Sequence, residues 1–156
     1  AADWAVEMTN QVVEGIEGVR LAVHLCRRAG ARARGELAHT GGYQPILEML
    51  NRLKVGHLTL EFTAPGAGEM DVLSRLRDDF EIGLGCVSCQ PGQVDSVDQI
   101  VSRVEKALEH LPPERITLNP DCGFSPGSAA EVSLDEVYRK LKNEVEAARR
   151  LRERYG

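Results

Sequence analysis

The chain has 156 residues, a formal net charge of −5 at pH 7, and 42% hydrophobic and 28% charged residues. That length suits a single domain, residues 1–156, with a real core, and the acidic balance argues against a nucleic-acid or anionic-membrane partner. No apolar run nears the roughly 18 residues that cross a bilayer, and the opening AADWAVEMTN lacks the basic and apolar regions of a signal peptide, so a cytoplasmic chain is expected.

In chain order, a helix is expected near 3–17, with Trp4, Met8, Val12 and Ile16 on one stripe. VRLAVHL (19–25) is apolar and β-branched and predicts a strand. YQPILEMLNRL then reads as a helix carrying Ile46, Leu47, Met49, Leu50 and Leu53. HLTLEFT (57–63) alternates as a second strand, PGAGE (65–69) as a loop, and EMDVLSRLRDD as a helix. EIGLGCV (81–87) is the third strand. In SVDQIVSRVEKALEHL, Ser96 and Gln99 predict a capping box ahead of an apolar stripe at Ile100, Val101, Val104, Ala107, Leu108 and Leu111. PPER stops that helix, and RITLNPD (115–121) is the fourth strand. Ser133 and Glu136 predict a second capping box, followed by Leu134, Val137, Tyr138, Leu141 and Val145 as the apolar face of the last helix. Regular alternation of strand and helix implies an α/β fold with parallel strands and right-handed crossovers. Four strands fall short of a closed (β/α)8 barrel, which takes eight strands and about 250 residues. The chain is therefore an open sheet or half a barrel.

Polar residues gather where the strands end, the place where parallel α/β folds bind ligands. The first strand ends in His24-Leu25-Cys26, the second carries Glu61, the third runs into Cys86 to Gln90, and the fourth ends in Asp121-Cys122. His24 and Cys26 are two apart, so a strand puts them on one face. Glu61 interrupts an apolar strand, where a buried carboxylate is costly without a partner. His24, Cys26, Glu61 and Cys122 together form a two-thiol, one-imidazole, one-carboxylate set that suits a tetrahedral zinc ion. CVSC (86–89) is read as structural thiols lining the site, with Cys89 as a lesser candidate ligand. His39, His57 and His110 are expected to be solvated.

H-x-C on one strand, Glu in LTLEFT on the next, IGLG on the third and NPDCG on the fourth resemble the C-terminal catalytic domain of the cobalamin-independent methionine synthases. That wider group includes zinc enzymes such as epoxyalkane:coenzyme M transferase. The resemblance spans about residues 10–145. It implies a (β/α)8 TIM-type barrel of which this chain is the C-terminal half. It implies zinc on His24, Cys26, Glu61 and Cys122, and transfer of a methyl or alkyl group from a donor to a small-molecule thiol, homocysteine or coenzyme M. Zinc deprotonates a bound thiol, and two thiolates with a carboxylate leave one negative charge in excess, which keeps the substrate sulfur electron-rich. Glu61 is expected to be the ligand most easily displaced, and Asp121 to hold a ligand or a loop amide. One stretch departs from the family: Ser88 and Gln90 stand at about the places where methionine synthases carry an Asp and a basic or His residue. That departure makes coenzyme M a real option as acceptor. The exposed edges of half a barrel imply self-association or a partner half. The alternative expectation is a non-catalytic half-barrel with structural zinc or no metal. A hydrolase is a weaker reading, because hydrolytic zinc sites favour His and carboxylate over two thiolates.

Overall fold

A computed structural model describes residues 2–26, 41–64, 68–124 and 132–156. Helix α1 (Ala2–Val13) precedes β1 (Ala22–Leu25). A 3-10 turn, Gln44–Ile46, runs into α2 (Leu47–Asn51), which leads to β2 (His57–Glu61). A 3-10 segment, Met70–Arg75, connects to β3 (Glu81–Val87) and then to α3 (Val97–Leu108). The turn Pro113–Arg115 opens β4 (Ile116–Pro120), and α4 (Leu134–Tyr155) closes the chain. The strands form one sheet in the order β1-β2-β3-β4, and every pairing is parallel.

The register sorts the side chains into two unlike faces, since successive residues of a strand alternate. One face carries Val23 and Leu25, Leu58 and Leu60, Ile82 and Leu84, and Ile116 and Leu118, all part of the apolar core or packed against it. The helices complete that core with Leu50, Leu73, Ile100, Val104 and Ala147. The other face holds His24, then His57, Thr59 and Glu61, then Gly83 and Gly85, then Thr117 and Asn119. The interior of an ordinary barrel is filled by bulky branched residues. Here that face is polar, and the two glycines make its space. A Cβ on Gly83 would sit 2.7 Å from both His57 Nε2 and Asn119 Oδ1.

The strands lie where the sequence places them; the helices differ in four ways. First, α1 ends at Val13 and not near 17, because Gly15 (φ 74°) takes the left-handed conformation that stops a helix. Second, the 70–75 stretch is 3-10 and not α, a length suited to a short connector between extended residues. Third, the Ser96–Gln99 capping box is complete, whereas the second box is half made. Ser133 accepts from Glu136 N, but the Glu136 carboxylate turns to Gly92 N at 2.9 Å and Lys140 Nζ at 3.1 Å.

Fourth, the apolar stripe read on α4 faces outward: Leu134, Tyr138, Leu141 and Val145 are exposed, as are Trp4, Val12 and Ile16 of the N-terminal stripe. The buried side of α4 is Lys140, Ala147 and Leu151. Three contacts select it. Ala147 lies in the core, and Arg150 with Asp98 and Arg154 with Glu105 bind α4 to α3. Lys140, with no exposed surface, donates to Ser88 O (2.9 Å) and Gln90 O (2.6 Å) in the loop after β3.

Lys140→Met keeps the side-chain bulk and removes the ammonium, leaving two carbonyls and Glu136 without their partner. Breaking a buried pair in this way costs about 3–5 kcal/mol. Urea unfolding should therefore show a lower midpoint at unchanged slope; an unchanged midpoint would mean the loop needs no such anchor.

Candidate metal centre

The side chains of His24, Cys26, Glu61 and Cys122 meet above the C-terminal ends of β1, β2 and β4, with one donor atom from each lying within 4.8 Å of all the others. Cys122 is the hub. Its Sγ lies 3.2 Å from Cys26 Sγ, 3.6 Å from His24 Nε2, and donates to Glu61 Oε1 at 2.8 Å. Glu61 is fully buried, while His24 and Cys26 are exposed on the open side. Among the described residues this is the one group of three or more such donors brought together.

Glu61 and Cys122 are held through the backbone beside them. The Tyr43 hydroxyl, buried against Phe62, accepts from Glu61 N at 2.7 Å and donates to Glu61 O at 3.2 Å. Asp121 Oδ1 accepts from Phe62 N (3.0 Å) and Thr63 N (3.2 Å), and its Oδ2 accepts from the Thr63 hydroxyl. Asp121 follows β4 and Phe62 follows β2, so this carboxylate spans the intervening β3. It can do so because β3 carries Gly85 there: a Cβ would meet Asp121 Oδ1 at 2.6 Å, Leu60 O at 2.5 Å and Glu61 Cα at 2.9 Å. One side chain thus ties the residue before Cys122 to the residues after Glu61. Asp121 holds loop amides and is not one of the gathered donors.

Burial raises the Asp121 carboxyl to about 6, against the hydrogen bonds from Thr63 and Phe62 and with the nearby Glu61 carboxylate adding to the rise. The Cys122 thiol is held well above its ordinary value, first by its hydrogen bond with Cys89, then by burial, then by Glu61 and Cys26. Both shifts say the same thing. Negative charge is disfavoured here unless a cation joins it.

The other sequence candidates separate. Cys86 belongs to the core cluster, and burial followed by the Glu144 charge pushes its thiol up to about 12, so it is inert. Cys89 is buried beside Cys122. The Ser88 hydroxyl donates to Gln93 Oε1 at 3.1 Å and accepts from Gln90 N at 3.2 Å. His57, expected to be solvated, is buried 3.4 Å from Glu81, because Gly83 makes room for its ring. His110 is half-buried at the end of α3. His39 and residues 65–67 of the PGAGE loop lie outside the described residues. Sequence reasoning missed Tyr43, Thr63, Gly85 and Lys140. Their roles depend on neighbours far along the chain; a glycine alternating with buried strand residues was the only local signal.

Two thiols, an imidazole and a carboxylate suit one borderline-soft divalent ion. The fully buried Glu61 beside Asp121 supports that fit, since a lone buried carboxylate pair is costly. The class is therefore a parallel α/β barrel segment bearing a candidate metal centre at its strand ends. The catalytic domain of cobalamin-independent synthase matches residues 38–150, and the chain belongs to that family. It is 27% identical over 150 residues to a methionine synthase of Saccharolobus islandicus, covering 96% of this chain and 40% of that protein. It is 31% identical to a methionine synthase of Pyrococcus abyssi, covering 95% and 38%. The solved structure of a B12-independent methionine synthase from Shewanella sp. W3-18-1, in complex with selenomethionine, superposes with a TM-score of 0.81 at 17% identity, over 97% of this chain and 44% of that one. A putative B12-independent methionine synthase from Listeria monocytogenes gives 0.68 at 24%, over 96% and 41%. The chain thus spans about 40% of the length of the relatives it matches, and its four parallel strands are the C-terminal part of their TIM barrel.

Gly85→Ala tests the crossing. Two of the three atoms its Cβ would meet are backbone and cannot rotate aside, so a loss of about 1–3 kcal/mol in unfolding free energy is expected. Gly56→Ala, with nothing within 4 Å of its Cβ, should stay within about 0.5 kcal/mol. Equal stability of the two variants would count against the clamp.

Proposed function

We propose that this chain is the metal-bearing half of a zinc-dependent enzyme that transfers a methyl or alkyl group to a thiol acceptor. The observation that carries the reading is the four-donor cluster on three strand ends, in a chain of the cobalamin-independent synthase family. His24, Cys26, Glu61 and Cys122 would hold the zinc. Bound zinc would supply Lewis-acid activation, letting an acceptor thiol react as thiolate near neutral pH.

The remaining chemistry belongs to the chain. His24 and Cys26 sit on the exposed side, where an acceptor sulfur enters. Glu61 Oε1 already accepts the Cys122 S–H and is the atom placed to take a proton from an incoming thiol. Tyr43 fixes the Glu61 backbone. Asp121 acts as a positioning residue through the Phe62 and Thr63 amides. Relatives named methionine synthase favour homocysteine as acceptor, while Ser88 and Gln90 keep coenzyme M as the second candidate. The exposed stripes on α1 and α4 support turnover only once further strands, a partner half or a second copy complete residues 1–156. A non-catalytic half-barrel with structural zinc is the competing reading, favoured by the same exposed stripes.

Elemental analysis of the chain purified without added metal should give close to one zinc per chain, and Cys122→Ser should lower it to a small fraction. X-ray absorption after addition of homocysteine or coenzyme M should then show one more sulfur on zinc and one fewer oxygen. Zinc near zero in the wild-type chain would remove the metal reading; zinc present but indifferent to both thiols would leave it structural.

A further inference from the structure

The sheet ends without cover at β4. Every residue of that strand is half-buried, whereas β3 beside it is buried from Ile82 to Val87. Among the described residues no strand pairs with β4 on its other side. A cavity of about 370 Å³ opens there, between Ile116, Thr117 and Leu118 of β4 and Glu144, Val145 and Ala148 of α4. Val145 also belongs to the exposed apolar row of α4, so row, cavity and strand edge form one surface. An acid stands in it. Glu144 Oε2 is buried and has no hydrogen-bond partner, and burial raises that carboxyl above its ordinary value. Arg152 lines the same cavity but stands two helical turns away, about 12 Å by the rise of a helix. A buried carboxylate oxygen left unbonded is costly, and no described side chain relieves it.

We propose that this surface docks a partner half-barrel, which adds a parallel strand beyond β4 and brings an arginine or lysine to the Glu144 carboxylate. Geometry supports the strand. An edge presents unpaired N–H and C=O groups that a further strand completes, and every pairing already in the sheet is parallel. Solved relatives extend well beyond the stretch that superposes on this chain, so a barrel of this type has more chain to place there. Charge supports the cation. The chain is acidic, at −5, and a cation makes the stronger, charge-assisted bonds to a carboxylate. A second copy fits less well. Continuing the parallel sheet would set its β1 and α1 at this seam, and neither AVHL nor ADWAVEMTNQVV contains a lysine or arginine. Arg20, just before β1, is already paired with Glu81.

The test uses the whole chain. Glu144→Leu keeps similar bulk and removes the charge, so with no partner present its urea midpoint should lie above that of the wild type at unchanged slope. A lower midpoint would show that Glu144 is already paired within the chain and would overturn the proposal. A second readout needs only the wild type. Propylguanidinium, an arginine side chain without its backbone, should shift the carbon-13 carboxyl resonance of Glu144 saturably. Its half-saturation concentration should be about tenfold lower than that of propylurea, which has a similar shape and no charge. No saturable shift, or an equal response to both, would overturn the assignment of a cation. Sedimentation deals with a second copy: wild type and Glu144→Leu should sediment alike, and a wild-type dimer that the substitution dissociates would put another copy of the chain on this edge in place of the partner assigned here. None of these readouts involves zinc, so they stand or fall separately from the metal centre.

Discussion

The centre depends on one carboxylate crossing a strand. Asp121 reaches from the end of β4, over β3, to the amides just after β2. Glu61 and Cys122 sit at strand ends that are not adjacent, since β3 lies between them, and Asp121 is the side chain that links the two. A parallel sheet fixes strand spacing but leaves strand ends to fray, because the last residues have partners on only part of their polar groups. The Asp121 bonds convert two such ends into one unit. Their cost is a buried carboxyl that resists ionisation, and the amide and hydroxyl donors of Phe62 and Thr63 offset it in part.

That crossing in turn depends on residues with no side chain. Gly85 clears the path of Asp121, and Gly83 clears space for His57 and Asn119 one layer below. Glycine weakens a strand interior, yet β3 is flanked on both sides, by β2 and β4, and its outward residues Ile82 and Leu84 are fully buried. The central strand can afford two glycines because its neighbours and its apolar face hold it. The bulge between Gly85 and Val87 then lets Asp121 N bond to Val87 O at 2.9 Å, which sets the height at which Cys122 emerges.

How much of this could be read beforehand follows from the range of each signal. The strands were legible because a period of two with β-branched residues is local. The four donors were legible because His24 and Cys26 share a strand face, Glu61 breaks an apolar run, and Cys122 follows an acidic strand end. Tyr43 and Lys140 were not legible. Each acts on backbone groups 18 and 52 residues away, and nothing in YQPILE or YRKLK marks that reach. The last helix departs from its pattern for a related reason. Its largest side chains form the apolar stripe, which by pattern alone reads as the buried face. The buried face was instead set by Lys140, which the loop around Cys89 requires, and by Ala147, which is small enough to lie in the core.

The outward stripe of α4 is then best understood as a second face rather than an error of the fold. A helix on the outside of a barrel has two kinds of neighbour, the sheet beneath it and the helices on either side. In α4 the sheet-side and α3-side contacts are made, by Ala147, Leu151 and the arginine pairs. Leu134, Tyr138, Leu141 and Val145 recur at helical spacing on another side, where no described residue covers them. Isolated apolar residues on a surface need no explanation; a helical row of four, matched by Trp4, Val12 and Ile16 at the other end of the chain, does. A barrel with further strands beyond β1 and β4 would cover both rows and close the polar face over the four donors. The same completion that buries the helices would shield the centre from bulk water, where each charge in it interacts most weakly.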